Sequence, residues 1–223
     1  MRNPLQLEVL RLGRQRYQPV WDLQRRFQQE RIADLEAETQ SGLPDRLLLV
    51  EHEPVFTWGK RTKPQNLGAG PEALRGLGAD VFEVERGGEV TYHGPGQLVC
   101  YPIVYLGDLR CGKDLHKYMR GLEEVVLRVA LTYGIQAGRV TGLTGVWVGD
   151  AKLAALGTRV SKWVTLHGFA LNLSKQPLPW FGHITACGIV GKNATSLESL
   201  LGYAPPIAEV EERVVTAFCD VLL

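Results

Sequence analysis

Apolar positions at helical spacing stand out most between residues 113 and 133. There Leu115, Tyr118, Leu122, Val125, Val126, Val129 and Tyr133 share one face, and Gly134 follows as a stop. A less regular stripe of Val20, Leu23, Phe27, Ile32 and Leu35 predicts a helix over 20–40, closed by Gly42. A third stripe, Val210, Val214, Ala217, Phe218 and Val221, begins after Pro205-Pro206. Between these helices the pattern shortens to that of strands. RLLLVEHEPVF (46–56) reads as a buried strand broken at Pro54, and QLVCYPIVY (97–105) and TLHGFALNL (165–173) as two more. DVFEVERGG (80–88) and EVTYHG (89–94) read as a strand pair turning at Gly87-Gly88. GVWVGDAKLAALGTRV (145–160) reads as a hairpin with Gly149-Asp150 at its turn.

The order is helix, strands, helix, strands, helix, with no repeat, low-complexity tract or linker. It predicts a single α+β domain over residues 1–223, its sheet mostly antiparallel and its helices packed on one face.

Composition narrows the classes of partner. The chain has 223 residues, 45% apolar and 22% charged, which suits a globular domain with a sizeable core. With 25 Lys+Arg against 24 Asp+Glu, the net charge of +1 gives no global attraction to nucleic acid or an anionic membrane. MRNPLQLEVLRLGRQRY lacks the apolar run of a secretory signal, and no segment approaches membrane-spanning length, so a soluble, cytoplasmic protein is expected. The four cysteines (Cys100, Cys111, Cys187, Cys219) have no zinc-ligand spacing and should be thiols in a reducing compartment. Cys100 and Cys219 fall in apolar strand and helix patterns and read as core, while Cys111 has no assigned role.

Several familiar motifs fail on context. Gly68-Ala69-Gly70-Pro71-Glu72-Ala73 matches GxGxxA, but no apolar strand precedes it. Gly191-Lys192-Asn193 resembles the end of a phosphate loop, yet Ala186 replaces its first glycine and Asn193 the Ser/Thr that would hold magnesium. There is no GxSxG nucleophile elbow and no HExxH pair, so neither a serine hydrolase nor a catalytic zinc is expected.

Three segments remain. RGGEVTYHGPGQLVCYPI (86–103) threads glycines and prolines around polar side chains, as backbone brought close to a ligand would. GDAKLAALGTRV with TLHGFALNL, and HITACGIVGKNATSL (183–197), follow in that order. Together they resemble the octanoyl (lipoyl) transferases of protein lipoylation, with similarity running from about Val50 to Leu200. The resemblance implies the catalytic fold of the biotin and lipoate protein ligases, a mixed sheet flanked by helices. It implies octanoyl transfer from the phosphopantetheine thioester of acyl carrier protein to one lysine ε-amine on a lipoyl domain. Acceptors of this kind are the 2-oxoacid dehydrogenase complexes and the glycine cleavage H protein. No cofactor is implied, because a thioester is already activated.

By motif match Cys187 is the nucleophile and acyl carrier, and Lys152 its partner. A thiol with a pKa of about 8.5 is mostly protonated at neutral pH, and a nearby ammonium raises its thiolate fraction. In the family the segments matching Arg86, Gly87, Gly88, Glu89, Val90, Thr91, Tyr92, His93, Ala155, Leu156, Gly157, Gly168, Phe169 and Ala170 bind the substrate, the small residues leaving a narrow apolar tunnel. Read without the family, Cys187 is a small buried hydrophobe, Lys152 a solvated lysine past a turn, and the small residues tight packing. His93 is open between a structural histidine and a role at the thioester carbonyl. Thr91 and Tyr92 are open between sheet packing and ligand contact. His167 reads as ordering its strand through a backbone hydrogen bond. Lys60, Arg61 and Lys63 form a solvated basic loop or a steering patch for the acidic carrier. One departure is Ala186, where family members commonly carry proline before the cysteine. The rivals are an ATP-dependent lipoate ligase on the same fold and a noncatalytic acyl-binding protein.

Overall fold

The computed structural model describes residues 7–37, 42–60, 62, 66, 68–184 and 193–223. A strand buried along its whole length needs cover on both faces, and the two central strands, β6 (Gln97–Ile103) and β10 (Val164–Asn172), are of that kind. They sit in a seven-stranded sheet with β1 (Leu7–Gln15), β2 (Asp45–His52), β7 (Gly138–Val140), β8 (Leu143–Val148) and β9 (Ala151–Ser161), in the order β1-β2-β6-β10-β9-β8-β7. Only the β1–β2 edge pair is parallel.

Helices cover both faces of this sheet, where the sequence pattern predicted one. On one side α3 (Leu115–Thr132) and α5 (Ile207–Leu222) pack Tyr118, Leu122, Val126, Val214 and Phe218 against Leu47, Leu98, Cys100 and Phe169. On the other, α1 (Tyr17–Glu36) packs Val20 and Phe27 against Leu48, Val50, Val99, Tyr101 and Leu166. The irregular stripe of α1 has a physical cause, because its buried face carries polar residues bound to the sheet. Gln28 donates to the Val164 carbonyl at 2.8 Å, Gln24 Oε1 accepts from the His167 N–H at 3.1 Å, and Arg31 bonds Asp45 at 3.0 Å.

In 80–94 the expected strand pair does not form. β4 (Asp80–Glu83) and β5 (Thr91–His93) do not pair with each other. β3 (Val55–Trp58) lies between them, parallel to β4 and antiparallel to β5, in a separate three-stranded sheet. Pro54 therefore ends one strand and starts another in a different sheet. The expected β8–β9 hairpin turns at Gly149-Asp150, where Gly149 has a positive φ of 55°, and the β9–β10 hairpin turns at Lys162-Trp163, where both residues have positive φ as a type I′ turn requires. The expected helices and strands at 113–133, 97–105, 165–173 and 207–222 form within a few residues. Pattern reading did not place β1, β7 or the short helices α2 (Pro71–Gly76) and α4 (Leu197–Leu201). Among the described residues no helix is long and apolar enough to cross a membrane.

Candidate active site

The small sheet lies over the α1-facing side of β6, β10 and β9, and the two sheets enclose a cavity of about 690 Å³, a size typical of small-molecule sites. Strand periodicity supplies its floor: Gln97, Val99 and Tyr101 from β6, Gly168 and Ala170 with Asn172 from β10, and Ala155 and Gly157 from β9. Leu156 and Phe169 also line it. Its roof is the connection Arg86, Gly87, Gly88, Glu89 and Val90, continued by Thr91 and His93 of β5. Lys152 opens β9 at one end of the cavity, and Gly157 lies five residues further, about 17 Å along an extended strand.

Arg86 holds the roof in place. Its guanidinium is buried and donates to the Thr57 carbonyl at 2.7 Å and the Thr57 hydroxyl at 3.0 Å, tying the connection to β3. The Gly87 N–H donates to the Thr158 carbonyl at 3.0 Å, tying it to β9. The close crossing explains one glycine directly: a Cβ on Gly157 would stand 2.9 Å from the Gly87 carbonyl oxygen.

Three buried histidines stand at or beside the cavity. Burial lowers the pKa of His52 to about 4 and that of His167 to about 3, and lowers that of His93 well below its ordinary value, so all three are neutral at pH 7. His93 and His167 line the cavity. His52 Nδ1 faces the Gln15 carbonyl at 3.2 Å and so carries the proton, and Nε2 accepts from the Tyr101 hydroxyl at 3.0 Å. The sequence reading of His167 is corrected. Its main-chain N–H is taken by Gln24 on α1, its backbone has a φ of 62°, and its Nε2 is buried without a hydrogen-bond partner among the described residues.

Tyr92, open in the sequence between sheet packing and ligand contact, is packed. Alternation along β5 sends Thr91 and His93 to the cavity and Tyr92 to the opposite side, where its ring stacks on Trp180 at 4.9 Å and packs against Phe56. It does not line the cavity.

Lys152 is half-buried and its Nζ lies 4.7 Å from the centroid of the Trp147 ring, its cross-strand neighbour. Its backbone is held on the far side too. The Lys152 N–H donates to the Asn193 carbonyl at 2.8 Å, and its carbonyl accepts from the Thr195 N–H at 2.9 Å. Cys187 and Ala186 lie outside the described residues. The chain is described up to Ile184 and again from Asn193, and both of these residues line the cavity. Burial raises the thiol pKa of Cys100, Cys111 and Cys219, so none of these three is an activated thiol. Lys60 is exposed and donates its N–H to the Arg86 carbonyl at 3.3 Å, while Arg61 and Lys63 lie outside the described residues. The motif reading passed over Gln97 as a cavity residue and also Trp147 and Asn172. The available signal was a polar side chain inside or ending a buried strand, which must have a partner.

The fold is shared with solved lipoate and biotin protein ligases. A bipartite lipoate protein ligase from Thermoplasma acidophilum superposes with a TM-score of 0.67 at 15% identity, over 97% of this chain and 84% of that one. Biotin protein ligase from Aquifex aeolicus superposes with a TM-score of 0.54 at 12% identity, over 97% of this chain and 68% of that one. Residues 16–219 match the lipoyl protein ligase A/B catalytic domain. The octanoyltransferase of Rubrobacter xylanophilus is 47% identical over 97% of this chain and 94% of its own length. The chain belongs to the octanoyltransferases, an acyltransferase family of lipoate biosynthesis.

Proposed function

We propose that the chain takes an octanoyl group from the phosphopantetheine thioester of acyl carrier protein and delivers it to a lysine ε-amine on lipoyl domains, through a thioester on Cys187. The observation that carries the reading is one cavity in which a lysine, Lys152, stands at one end of a floor built from Ala155, Gly157, Gly168 and Ala170. Burying about six methylenes over such a floor contributes about 5 kcal/mol, at about 0.8 kcal/mol each. One methylene more or less discriminates by only about 1–3 kcal/mol, so octanoyl is preferred over its neighbours without being the sole substrate.

The reaction runs in two halves. The Cys187 thiolate attacks the carrier thioester, a new C–S bond forms, and the carrier's C–S bond breaks. The departing thiolate takes a proton from the Lys152 ammonium. In the second half the incoming amine attacks the acyl-Cys187 carbonyl and gives its proton to Lys152, and Cys187 leaves as thiolate. Lys152 ends as it began. The acceptors are lipoyl domains of 2-oxoacid dehydrogenases and the glycine cleavage H protein, the site of action is the cytoplasm, and no nucleotide or cofactor takes part.

The test is intact-mass measurement after mixing the protein with octanoyl carrier protein. An adduct of one octanoyl group should form, be released by hydroxylamine, and vanish in Cys187→Ser. Lys152→Met should slow its formation about 10²–10⁴-fold. No adduct under turnover conditions, or lipoate-dependent exchange of pyrophosphate into ATP, would overturn the reading in favour of a binding protein or a ligase.

A further inference from the structure

Three polar side chains of the cavity wall and the Thr195 carbonyl behind it form one directed chain. Asn172 Nδ2 donates to the Thr195 carbonyl at 2.8 Å. Gln97 Nε2 donates to Asn172 Oδ1 at 2.9 Å and also lies 3.3 Å from the Tyr92 carbonyl. Gln97 Oε1 faces His93 Nδ1 at 3.2 Å. Gln97 and Asn172 are almost fully buried, so their hydrogen bonds cannot be exchanged for water without cost.

The direction of the chain follows from its ends. A backbone carbonyl can only accept, so the Asn172 atom against Thr195 is its NH₂ group, and the atom against Gln97 is its oxygen. Gln97 must then present its own NH₂ there, and the Tyr92 carbonyl demands the same orientation independently. Gln97 is left with an oxygen toward His93. An oxygen needs a donor, so His93 carries its proton on Nδ1 and has a lone pair on Nε2.

We propose that Asn172 and Gln97 are positioning residues that hold His93 as the Nδ1–H tautomer, making it a hydrogen-bond acceptor toward whatever occupies the cavity. This rests on the acyl-transfer reading for its use and on the hydrogen bonds alone for its geometry. Of the two roles open to His93, donation to the acyl carbonyl is then excluded, since a neutral ring with Nδ1–H has no second donor. Its partners are groups that bring a hydrogen, namely an amine N–H, a thiol S–H or an ordered water. The same Asn172 contact also sets Lys152. Segment 193–195, gripped by Asn172 through the Thr195 carbonyl, is the one that forms both backbone hydrogen bonds to Lys152. One amide thus registers the two cavity-lining bases against each other.

The test is two-bond ¹H–¹⁵N correlation of the histidine rings in the resting protein at pH 7.5, with no substrate present. His93 should show its proton on Nδ1. Gln97→Met removes the acceptor and should release the ring to the Nε2–H form. Asn172→Asp keeps an acceptor for Gln97 but loses the donor to Thr195. It should leave the His93 tautomer unchanged and lower kcat by up to about 100-fold, with KM for the carrier nearly constant. His93 found as Nε2–H in the unaltered protein, a tautomer unmoved in Gln97→Met, or an Asn172→Asp variant with unchanged kcat would overturn the proposal. Because the first two readings need no turnover, a failed transfer assay and a wrong tautomer are separate results.

Discussion

Acid should destabilise this protein through its buried histidines before its carboxylates titrate. His52 and His167 have folded-state pKa values of about 4 and about 3, against about 6.5 for an unfolded histidine. Between those values the unfolded chain binds more protons than the folded one, so stability falls as pH falls. It is fully present above about pH 6.5 and declines until the folded groups themselves protonate near 4 and 3. From pH 7 to pH 5 the usable interval is about 1.5 pKa units, and at 1.36 kcal/mol per unit each histidine accounts for about 2 kcal/mol, or about 4 kcal/mol together. The assay is urea unfolding followed by far-UV circular dichroism at both pH values, for the protein and for His52→Gln/His167→Gln. The double variant is weaker at pH 7, having lost the bond from Tyr101, so the quantity compared is the loss between pH 7 and 5. The unaltered protein should lose about 4 kcal/mol more. Equal losses in the two would refute the assignment of buried neutral histidines.

Two further outcomes follow from close packing at the site. A Cβ on Gly168 would run into the Cys100 carbonyl oxygen on β6, whereas one on Gly138 in β7 meets nothing within 4 Å. Gly168→Ala should therefore cost about 3 kcal/mol in urea unfolding, and Gly138→Ala almost nothing. Arg86→Lys keeps the charge but loses the fork that grips the Thr57 carbonyl and hydroxyl. It should cost about 1.5–3 kcal/mol and lower Tm by several degrees in calorimetry, and it should slow octanoyl-adduct formation as the roof loosens.

Much of the site was legible because its parts are local. In 113–133 the apolar period is complete within each turn, and α3 forms there. In 86–103 and 145–173 the glycines and alanines mark backbone that must pass close to something, and Gly157 and Gly168 do so against Gly87 and Cys100. Alternation along a strand already implied that Thr91 and His93 share a face and that Tyr92 does not. The family resemblance names all three as one segment and does not distinguish the faces.

What required the folded chain is everything decided by partners distant in sequence. Nothing near 80–94 says that β3 will lie between β4 and β5, since the competing hairpin has the same local pattern and loses only when the small sheet closes over β6 and β10. The helix at 20–40 was legible, but which face of the sheet it covers was not, because α1 is bound there by Gln24, Gln28 and Arg31, whose partners His167, Val164 and Asp45 lie elsewhere in the sequence. The proton on His93 is the clearest case. A histidine in a sequence can carry it on either nitrogen, and here two carbonyls, at Tyr92 and Thr195, leave one choice because a carbonyl oxygen can only accept.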